Sequence, residues 1–377
     1  MAEVMRRILM FSSSGQHTIS EQVLARHSRY ADALNDFPSE QYELLMAVPS
    51  NQLPGTYLHT HKHFSVISSG PKGLFGARRD CLRTLLAIIG NPRLLIASDP
   101  FLALRSAIRF RVLCKRNIPI ETQFHGDFGN EKWRNSSIKA RVGSVLAGFQ
   151  IAKSNFFRVV SRTQMSAIVD LYTINPNRAY VAAVPIDTVD IDDNSIPRTR
   201  SVLFVGRIHA ERGLALWADV ALWLHKQDPT ISFTICGSGP EEKRFRTLLK
   251  PIPVENIRFL GQLPTTQLYS EMKLGGVLLS TPPFESLGRS LIEAYGSGLS
   301  TVATPTSGAI DLEKDFSGIK LSGLLPAELG RDVLKVLNAP SAHIDLKQRR
   351  IELEDFNSRN ILTLAYSWKR EIETHIT

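Results

Sequence analysis

Cysteines and long hydrophobic runs are both scarce in this sequence. Three cysteines are scattered over 377 residues without Cys-x-x-Cys spacing, so we expect neither a disulfide framework nor a zinc ribbon. The longest apolar runs, such as Leu85–Ile89 and Leu94–Ala97, are far too short to span a bilayer. The first residues include arginines but no long apolar core and no small-residue cleavage site, which argues against a secretory signal. These absences favour a cytoplasmic protein, with a peripheral position on the inner face of the membrane left open.

Metal-binding patterns are scarce as well. His59, His61 and His63 alternate along the chain and would share one face of a strand, but no evident fourth ligand lies nearby. Asp190 and Asp192 have Asp-x-Asp spacing, yet they lie in a stretch with the composition of a linker. We therefore expect no metal site and a function that is independent of metal.

The chain is long, and its charge is unevenly distributed. A chain of this length exceeds what one hydrophobic core usually serves, so we expect two domains. Residues 1–190 contain 23 Lys and Arg against 14 Asp and Glu, a net charge of +9, whereas residues 191–377 are neutral. Residues 62–116 alone contain 11 basic and 2 acidic side chains. Such a segment attracts lipid head groups, pyrophosphate-linked acceptors or nucleic acid, unless it is a solvated face without a partner.

Strand-like and helical patterns alternate along the chain, which is typical of parallel sheets with crossover helices. The first series of predicted strands is Arg7–Ser13, Tyr42–Val48, Leu94–Ala97, Ile120–Phe124, Phe157–Ser161 and Ala179–Val184. The second series is Ser201–Val205, Ile231–Cys236, Ile257–Leu260, Gly276–Ser280 and Ser300–Ala303. Polar, acidic residues separate the two series and predict a linker. We predict an α/β protein with domains at 1–186 and 201–358, a linker at 187–200 and a C-terminal helix at 359–377 that crosses back to the first domain.

The stretch SVLFVGRIHAERG suggests a phosphate site. An apolar strand ends at Gly206, Arg207 follows at once, and Arg212 precedes the next helix. The glycine would let a ligand approach the backbone, and two guanidinium groups beside a helix start suit two adjoining phosphates. Two surface arginines near a turn are the alternative. The later ICGSGP is a second strand-to-glycine turn, and Gly237 either lines the same crevice or is only structural.

The stretch PFESLGRSLIEAYGSG contains two carboxylates, Glu285 and Glu293, with Gly288 between them. We expect a helix to start near Leu287, so that the amides of Leu287 and Gly288 would point at an anion. Glu293 lies nearly two turns further on and could accept hydrogen bonds from two vicinal hydroxyls. Surface carboxylates are the alternative. One anion site with two hydroxyl acceptors describes a nucleoside diphosphate sugar better than a bare phosphate.

These segments resemble the donor-site motifs of family 4 of the retaining glycosyltransferases, which belong to the glycosyl transferases group 1. The resemblance covers Ser201–Thr304 and implies the GT-B fold, in which two Rossmann-like doubly wound domains face each other across a cleft. It implies that Arg207 and Arg212 bind the donor diphosphate with help from the Leu287 and Gly288 amides. It further implies that Glu293 holds the ribose and that Glu285 contacts the sugar ring. Arg212 stands where the family usually has lysine.

The first half resembles the family less closely. Thr122–Asp127 has the sequence TQFHGD, and its His125 resembles the family histidine that faces the donor sugar. Such a histidine would hydrogen-bond a sugar hydroxyl and stabilise charge at the anomeric carbon. Gly15 lies at the first strand-to-helix turn, where the family has a longer glycine-rich loop beside the donor phosphate. A structural histidine on a loop is the alternative for His125.

The resemblance implies a retaining glycosyltransferase of the hexosyltransferase type. By resemblance, Arg207, Arg212, Glu285 and His125 would be catalytic, and the donor-binding residues would be Gly15, Gly206, Gly237, Leu287, Gly288 and Glu293. We expect a nucleotide diphosphate sugar as co-substrate, no other cofactor, a glycan or lipid-linked acceptor, and no nucleic acid partner. Bacterial-type cell-surface polysaccharide or glycolipid assembly would be the setting, with residues 62–116 on an anionic membrane surface. The alternatives are a sugar-nucleotide epimerase or a phosphorylase on the same scaffold, and a non-catalytic nucleotide-sugar-binding protein.

Overall fold

The computed structural model describes residues 6–36, 41–74, 76–187, 199–339 and 346–375. The chain forms two compact units. The first consists of Met1–Pro185 and Ser358–Thr377, and the second of Ile186–Asn357. Most of the predicted linker at 187–200, including Asp190 and Asp192, lies outside the described residues. The first unit is therefore assembled from two separate parts of the chain.

The first unit is built around a mainly parallel sheet. Its strands are β1 (Arg6–Phe11), β2 (Tyr42–Val48), β3 (Tyr57–His61), β4 (Phe64–Ser68), β5 (Lys72–Gly73), β6 (Gly76–Ala77), β7 (Leu94–Ala97), β8 (Ile120–Phe124), β9 (Phe156–Val159) and β10 (Ala179–Val181). Its helices are α1 (Glu21–Asn35), α2 (Arg79–Ile89), α3 (Leu102–Cys114), α4 (Glu131–Arg134), α5 (Ile138–Ile151) and α6 (Arg162–Tyr172). The order is β10-β9-β8-β7-β1-β2-β4-β3, and β5 pairs with β6 alone. Only β3 runs antiparallel to its neighbour within this sheet.

Two apolar layers cover this sheet because neighbouring β1 residues point to opposite faces. Leu9 and Phe11 pack in a cluster with apolar residues of α2, α3, α5 and α6. Ile8 and Met10 pack in a second cluster with α1 and with Trp368 near the C-terminus. Helices α2 and α3 belong to the basic segment 62–116, and their apolar faces thus lie in the core. This agrees with the alternative in which the segment is a solvated face without a partner.

The second unit contains a six-stranded sheet that is parallel throughout. Its strands are β11 (Ser201–Val205), β12 (Ser232–Cys236), β13 (Ile257–Gly261), β14 (Val277–Ser280), β15 (Ser300–Ala303) and β16 (Ile319–Leu321). Its helices are α7 (Leu214–Gln227), α8 (Glu242–Leu249), α9 (Thr265–Leu274), α10 (Arg289–Gly296), α11 (Ser307–Asp315) and α12 (Pro326–Asn338). The strand order is β13-β12-β11-β14-β15-β16. The order reverses between β11 and β14, and sheets of this kind bind ligands at such a switch point.

The last helix, α13 (Leu346–Thr374), is longer than predicted and starts earlier. Its residues up to Asn357 cluster with the second unit, and those from Ser358 cluster with the first. Trp368 is fully buried in the first unit, where its Nε1 donates to Oε2 of Glu121 at 2.7 Å. Among the described residues, no helix combines the length and apolarity needed to cross a bilayer.

Candidate functional site

The two loops on either side of the switch point contact each other. Arg212 closes a short 3-10 turn after β11, and its Nη1 donates to Oε2 of Glu285 in the loop after β14. Gly213 has a φ of +66°, and a Cβ placed on it would lie 1.8 Å from the carbonyl oxygen of Thr281. Only glycine therefore permits this close approach. Two of the predicted site residues are brought together here.

The loops after β11 and β12 also touch through glycines. Gly206 and Gly237 have φ values of +142° and +150°. A Cβ on Gly237 would lie 1.9 Å from the Gly206 carbonyl oxygen, so neither a side chain nor an ordinary backbone conformation fits. Arg207 follows this contact and is exposed at the carboxyl end of the sheet. The glycine turn after β12 thus has a packing role beside β11, whatever it does for a ligand.

Helix α10 starts at the predicted place. Gly288 is its N-cap residue, with a φ of +79°, and the preceding Leu287 is buried. Gly308 of α11 packs so closely that an added Cβ would lie 2.3 Å from the carbonyl carbon of Leu287, and its amide donates to the Glu285 carbonyl at 2.9 Å. Within the described part of the chain, the amides of Leu287 and Gly288 donate to no backbone or side-chain acceptor. They suit an anion at the helix start.

Glu293 lies on α10 in a largely buried position, and burial raises the pKa of its carboxyl. Arg289 lies one turn earlier, and its Nη2 donates to Oε1 of Glu293 at 3.2 Å. Asp187 adds a negative charge that also raises this pKa, and its carbonyl accepts from the Tyr269 hydroxyl at 2.7 Å. Arg289 and Tyr269 are not among the residues predicted from the sequence, although the i,i+4 spacing of Arg289 and Glu293 is visible in it.

His125 follows β8 in the first unit and ends a chain of side-chain hydrogen bonds. Its Nε2 lies 2.9 Å from Oε1 of Gln123, and Nε2 of Gln123 donates to Oε1 of Glu121 at 2.6 Å. Because an amide oxygen only accepts, Nε2 of His125 carries the proton. His125 is exposed, yet desolvation of its ring, the positive charges of Arg158 and Arg26, and His27 lower its pKa below the usual value. The imidazole is therefore neutral near pH 7.

The interior end of this network is a buried carboxyl with several donors. Oε2 of Glu121 accepts from the Tyr180 hydroxyl at 2.6 Å as well as from Trp368. Burial raises the pKa of Glu121. Arg158, also buried, donates to the Ala182 carbonyl at 2.9 Å and to the Tyr30 hydroxyl at 3.0 Å. Buried polar groups need such partners, and the sequence offered no sign of them because Arg158 lies inside an otherwise apolar strand.

Gly15, the other predicted site residue of the first unit, follows β1. Its φ of −75° is ordinary extended backbone, and an added Cβ would meet only the Pro49 carbonyl at 3.7 Å. The backbone therefore does not demand glycine here, unlike at Gly237. A contact between Gly15 and a donor phosphate stays a prediction.

The predicted residues thus fall into two groups, each at the carboxyl end of its own sheet. The second unit holds Gly206, Arg207, Arg212, Gly237, Glu285, Leu287, Gly288 and Glu293, and the first holds Gly15 and His125. His59 and His61 lie on β3, whereas His63 lies beyond its end. No group of three or more histidine, cysteine or acidic side chains suited to a metal ion occurs in the described part of the chain.

The family described as "Glycosyl transferases group 1" matches residues 189–352. The chain carries a group 1 glycosyltransferase domain. That domain includes all eight predicted site residues of the second unit. The predicted group 1 assignment is confirmed for this part of the chain, whereas membership of family 4 stays a prediction.

Two curated relatives of the chain are named as glycosyltransferases. The chain is 26% identical over 151 residues to the GtfA subunit of a UDP-N-acetylglucosamine–peptide N-acetylglucosaminyltransferase from Streptococcus pneumoniae, covering 39% of this chain and 29% of the relative. It is 28% identical over 114 residues to a 2-deoxystreptamine N-acetyl-D-glucosaminyltransferase from Niallia circulans, covering 30% of this chain and 29% of the relative. The matched segments thus span less than a third of each relative.

Solved structures resemble the whole chain rather than the group 1 domain alone. Sucrose-phosphate synthase from Thermosynechococcus elongatus has a TM-score of 0.76 at 17% identity, with 98% of this chain and 99% of that chain covered. Anabaena HepE, solved with UDP and glucose, has a TM-score of 0.66 at 14% identity, with 97% and 99% covered. At these identities the likeness concerns the fold, and the predicted GT-B fold is confirmed.

Proposed function

We propose that this protein transfers a sugar, with retention of anomeric configuration, from a nucleotide diphosphate sugar to an acceptor hydroxyl. One observation carries the proposal. Arg212 and Glu285, from the loops after β11 and β14, meet at the switch point of the second sheet. The amides of Leu287 and Gly288 lie in the same loop as Glu285, at the start of α10. Group 1 family membership makes a nucleotide sugar the natural ligand for this arrangement.

The charges at the switch point suit the stabilisation of a leaving diphosphate. We propose that Arg207, Arg212 and the two amides bind its oxygens, because positive charge and fixed donors stabilise the anion that develops as the sugar departs. Glu285 then exchanges its hydrogen bond with Arg212 for one with the sugar ring. Glu293 binds the ribose, with Arg289 restraining its carboxylate. The proposed catalytic role of His125 is to hydrogen-bond the sugar while neutral.

We propose a displacement on one face of the sugar, as the resemblance to family 4 suggests. The bond from the anomeric carbon to the diphosphate oxygen breaks, the acceptor oxygen bonds to the same carbon, and the acceptor proton passes to the departing diphosphate. Electrons and protons balance without a covalent enzyme intermediate. In this proposal Glu285 hydrogen-bonds the sugar ring and forms no bond to the anomeric carbon, so its role is to position the sugar.

For the donor, we propose a UDP-linked sugar, with UDP-N-acetylglucosamine as the first to test. The names of both relatives above refer to N-acetylglucosaminyl transfer, and a third relative is a phosphatidylinositol N-acetylglucosaminyltransferase subunit from Arabidopsis thaliana. A glycan or lipid-linked acceptor in cell-surface polysaccharide or glycolipid assembly remains our proposal, as do independence from metal and cytoplasmic location. The basic segment 62–116 remains a proposed contact with anionic membrane.

The test begins with thermal unfolding in the presence of a panel of nucleotide sugars, since a ligand that binds only the folded state raises Tm. The best donor is then offered with glycan and lipid-linked acceptors, and the product's anomeric configuration is read by NMR. A retained configuration in a new glycosidic bond supports the proposal. Conversion of the donor to an epimer without an acceptor would instead support the epimerase, and binding without turnover would support a non-catalytic protein.

A further inference from the structure

Helix α5 of the first unit carries large apolar side chains on its outer face. Ile138 is 84% exposed and Phe149 is 74% exposed, with Val142, Val145 and Leu146 between 47% and 61%. We call these five residues the α5 stripe. The spacing 138, 142, 145, 149 keeps them along one side of the helix. The inner side is apolar too, since Ala140, Ala147 and Ile151 are buried, with Ala147 and Ile151 in the core.

A helix that is apolar on both sides is normally buried on both sides. Single exposed hydrophobic residues are common on protein surfaces, but a continuous group marks a surface that contacts something else. The α5 stripe extends over nearly the whole helix, from its first residue to Phe149. Something beyond the described chain is therefore expected to cover it.

Basic side chains surround the α5 stripe. Residues 131–153 contain five Lys and Arg and one acidic residue, Glu131. Lys139 and Arg141 are exposed on α5 itself, and Lys153 is exposed just beyond its end. Arg111 of α3 donates from Nη2 to the Lys153 carbonyl at 3.0 Å, which brings the basic end of α3 next to this end of α5. The apolar residues of the α5 stripe are thus flanked by basic side chains.

We propose that the α5 stripe docks on an anionic lipid surface, with its apolar side chains in the interface and the flanking cations against the head groups. This is the pattern of a helix that lies in a membrane interface. A second copy on the same stripe would bring two sets of these cations together, whereas anionic head groups neutralise them. Most apolar residues of α2 and α3 pack in the core, and only Ile88 and Val112 of these two described helices are large exposed hydrophobics. We therefore propose that α5 supplies the apolar contact and that the basic segment 62–116 supplies further charge.

The first experiment measures sedimentation with phosphatidylcholine vesicles, with and without phosphatidylglycerol. We expect binding at low salt that needs phosphatidylglycerol and weakens at high salt. The variant Val142→Ser/Val145→Ser/Phe149→Ser should lower the partition coefficient more than tenfold, and Lys139→Glu/Arg141→Glu should lower it about tenfold. A matched control, Leu53→Ser/Val254→Ser/Leu324→Ser, removes three exposed apolar side chains elsewhere and should bind as the parent does.

Thermal unfolding checks that each variant folds, and a second measurement locates the contact. All three native cysteines are buried, so a polarity-sensitive thiol dye can be placed on Val145→Cys or, as control, on Val254→Cys. We expect a blue shift with phosphatidylglycerol vesicles at position 145 and none at 254. Unchanged binding of the serine variant, equal shifts at both positions, or a dimer that Phe149→Ser dissociates would each overturn the proposal. No donor or acceptor is needed, so the outcome is separate from that of the transfer reaction.

Discussion

The two units hold their candidate functional residues in different ways. In the second unit, glycines at positive φ bring the backbone of neighbouring loops into contact, and the charged groups Arg207, Arg212 and Glu285 stand on those loops. In the first unit, His125 depends on side chains, because Gln123 and the buried Glu121 hold its ring. The candidate site residues of the second unit are therefore sensitive to any change of backbone conformation. Those of the first unit are instead sensitive to substitution of the buried polar side chains that hold them.

The largest effect is expected from a substitution that breaks the backbone contacts between loops of the second unit. Gly237→Ala would place a Cβ 1.9 Å from the Gly206 carbonyl oxygen, so we expect a loss of unfolding free energy of about 3 kcal/mol or more. Gly261→Ala is the control, since Gly261 also has a positive φ of +68° but nothing within 4 Å of an added Cβ. It should cost about 1 kcal/mol. Urea unfolding measures both, and equal losses would show that the contact between the loops is unimportant.

The next effect concerns the charges on those loops. Arg212→Ala should lower kcat/KM for the donor about 100-fold or more, because a fixed positive charge beside the leaving diphosphate is lost. Arg212→Lys keeps the charge but not the planar fork and should be intermediate. Arg244→Ala removes an exposed arginine that pairs with Glu241 and serves as the control. Normal activity of Arg212→Ala would contradict the proposed diphosphate site.

A third effect probes the buried side chains of the first unit through pH. Burial, with Arg26 and Arg158 nearby, lowers the pKa of His27 from 6.5 to about 3. Between these values the unfolded chain binds a proton that the folded chain does not, so stability falls as the pH falls from 6.5 towards 3. The contribution between pH 7 and pH 4.5 is about 2 to 3 kcal/mol. His27→Phe should lose this part of the dependence in urea unfolding, whereas the exposed His17→Phe should keep it.

The smallest expected effect tests how His125 is positioned. Gln123→Leu removes the acceptor for His125 and one donor to Glu121, which should cost about 1 to 2 kcal/mol of stability. We also expect kcat to fall about tenfold while KM for the donor stays constant, since one hydrogen bond of that strength no longer holds the ring. The exposed Gln227→Leu is the control. A fall in stability without any change in kcat or its pH profile would leave Gln123 a structural residue only.

The sequence predicted most of the parallel strands because buried parallel strands are continuous apolar runs, but the two predicted series did not include β3, β4, β5, β6 and β16. Tyr42–Val48, Ile120–Phe124 and Ser201–Val205 were predicted with the bounds that the structure has. The helix after β14 was also predicted, since glycine and a change of periodicity mark its start. The 3.6-residue pattern of α13 before position 359 was missed because charged residues obscure it, as the run LKQRRIELED shows.

The candidate site was predictable where chemistry follows a strand end and unpredictable where it depends on tertiary contacts. Arg212 and Glu285 stand 73 positions apart, and their pairing required only that β11 and β14 be neighbours. The partner of Glu121 stands 247 positions away in Trp368, and no local pattern links the two. The exposed face of α5 was missed for a similar reason, because periodicity alone does not say which apolar side of a helix meets the core.

The two-part construction of the first unit sets an order for its assembly during synthesis. The second unit is one contiguous segment, Ile186–Asn357. All of its residues are therefore synthesised before the last turns of helix α13 leave the ribosome. The first unit instead awaits Leu364, Trp368 and Ile372, which belong to its apolar core. Before these residues are synthesised, the carboxyl of Glu121 lacks the indole of Trp368 as a donor, and one face of the first unit's sheet is not covered. The amino-terminal half of the chain is thus the last to reach its finished state.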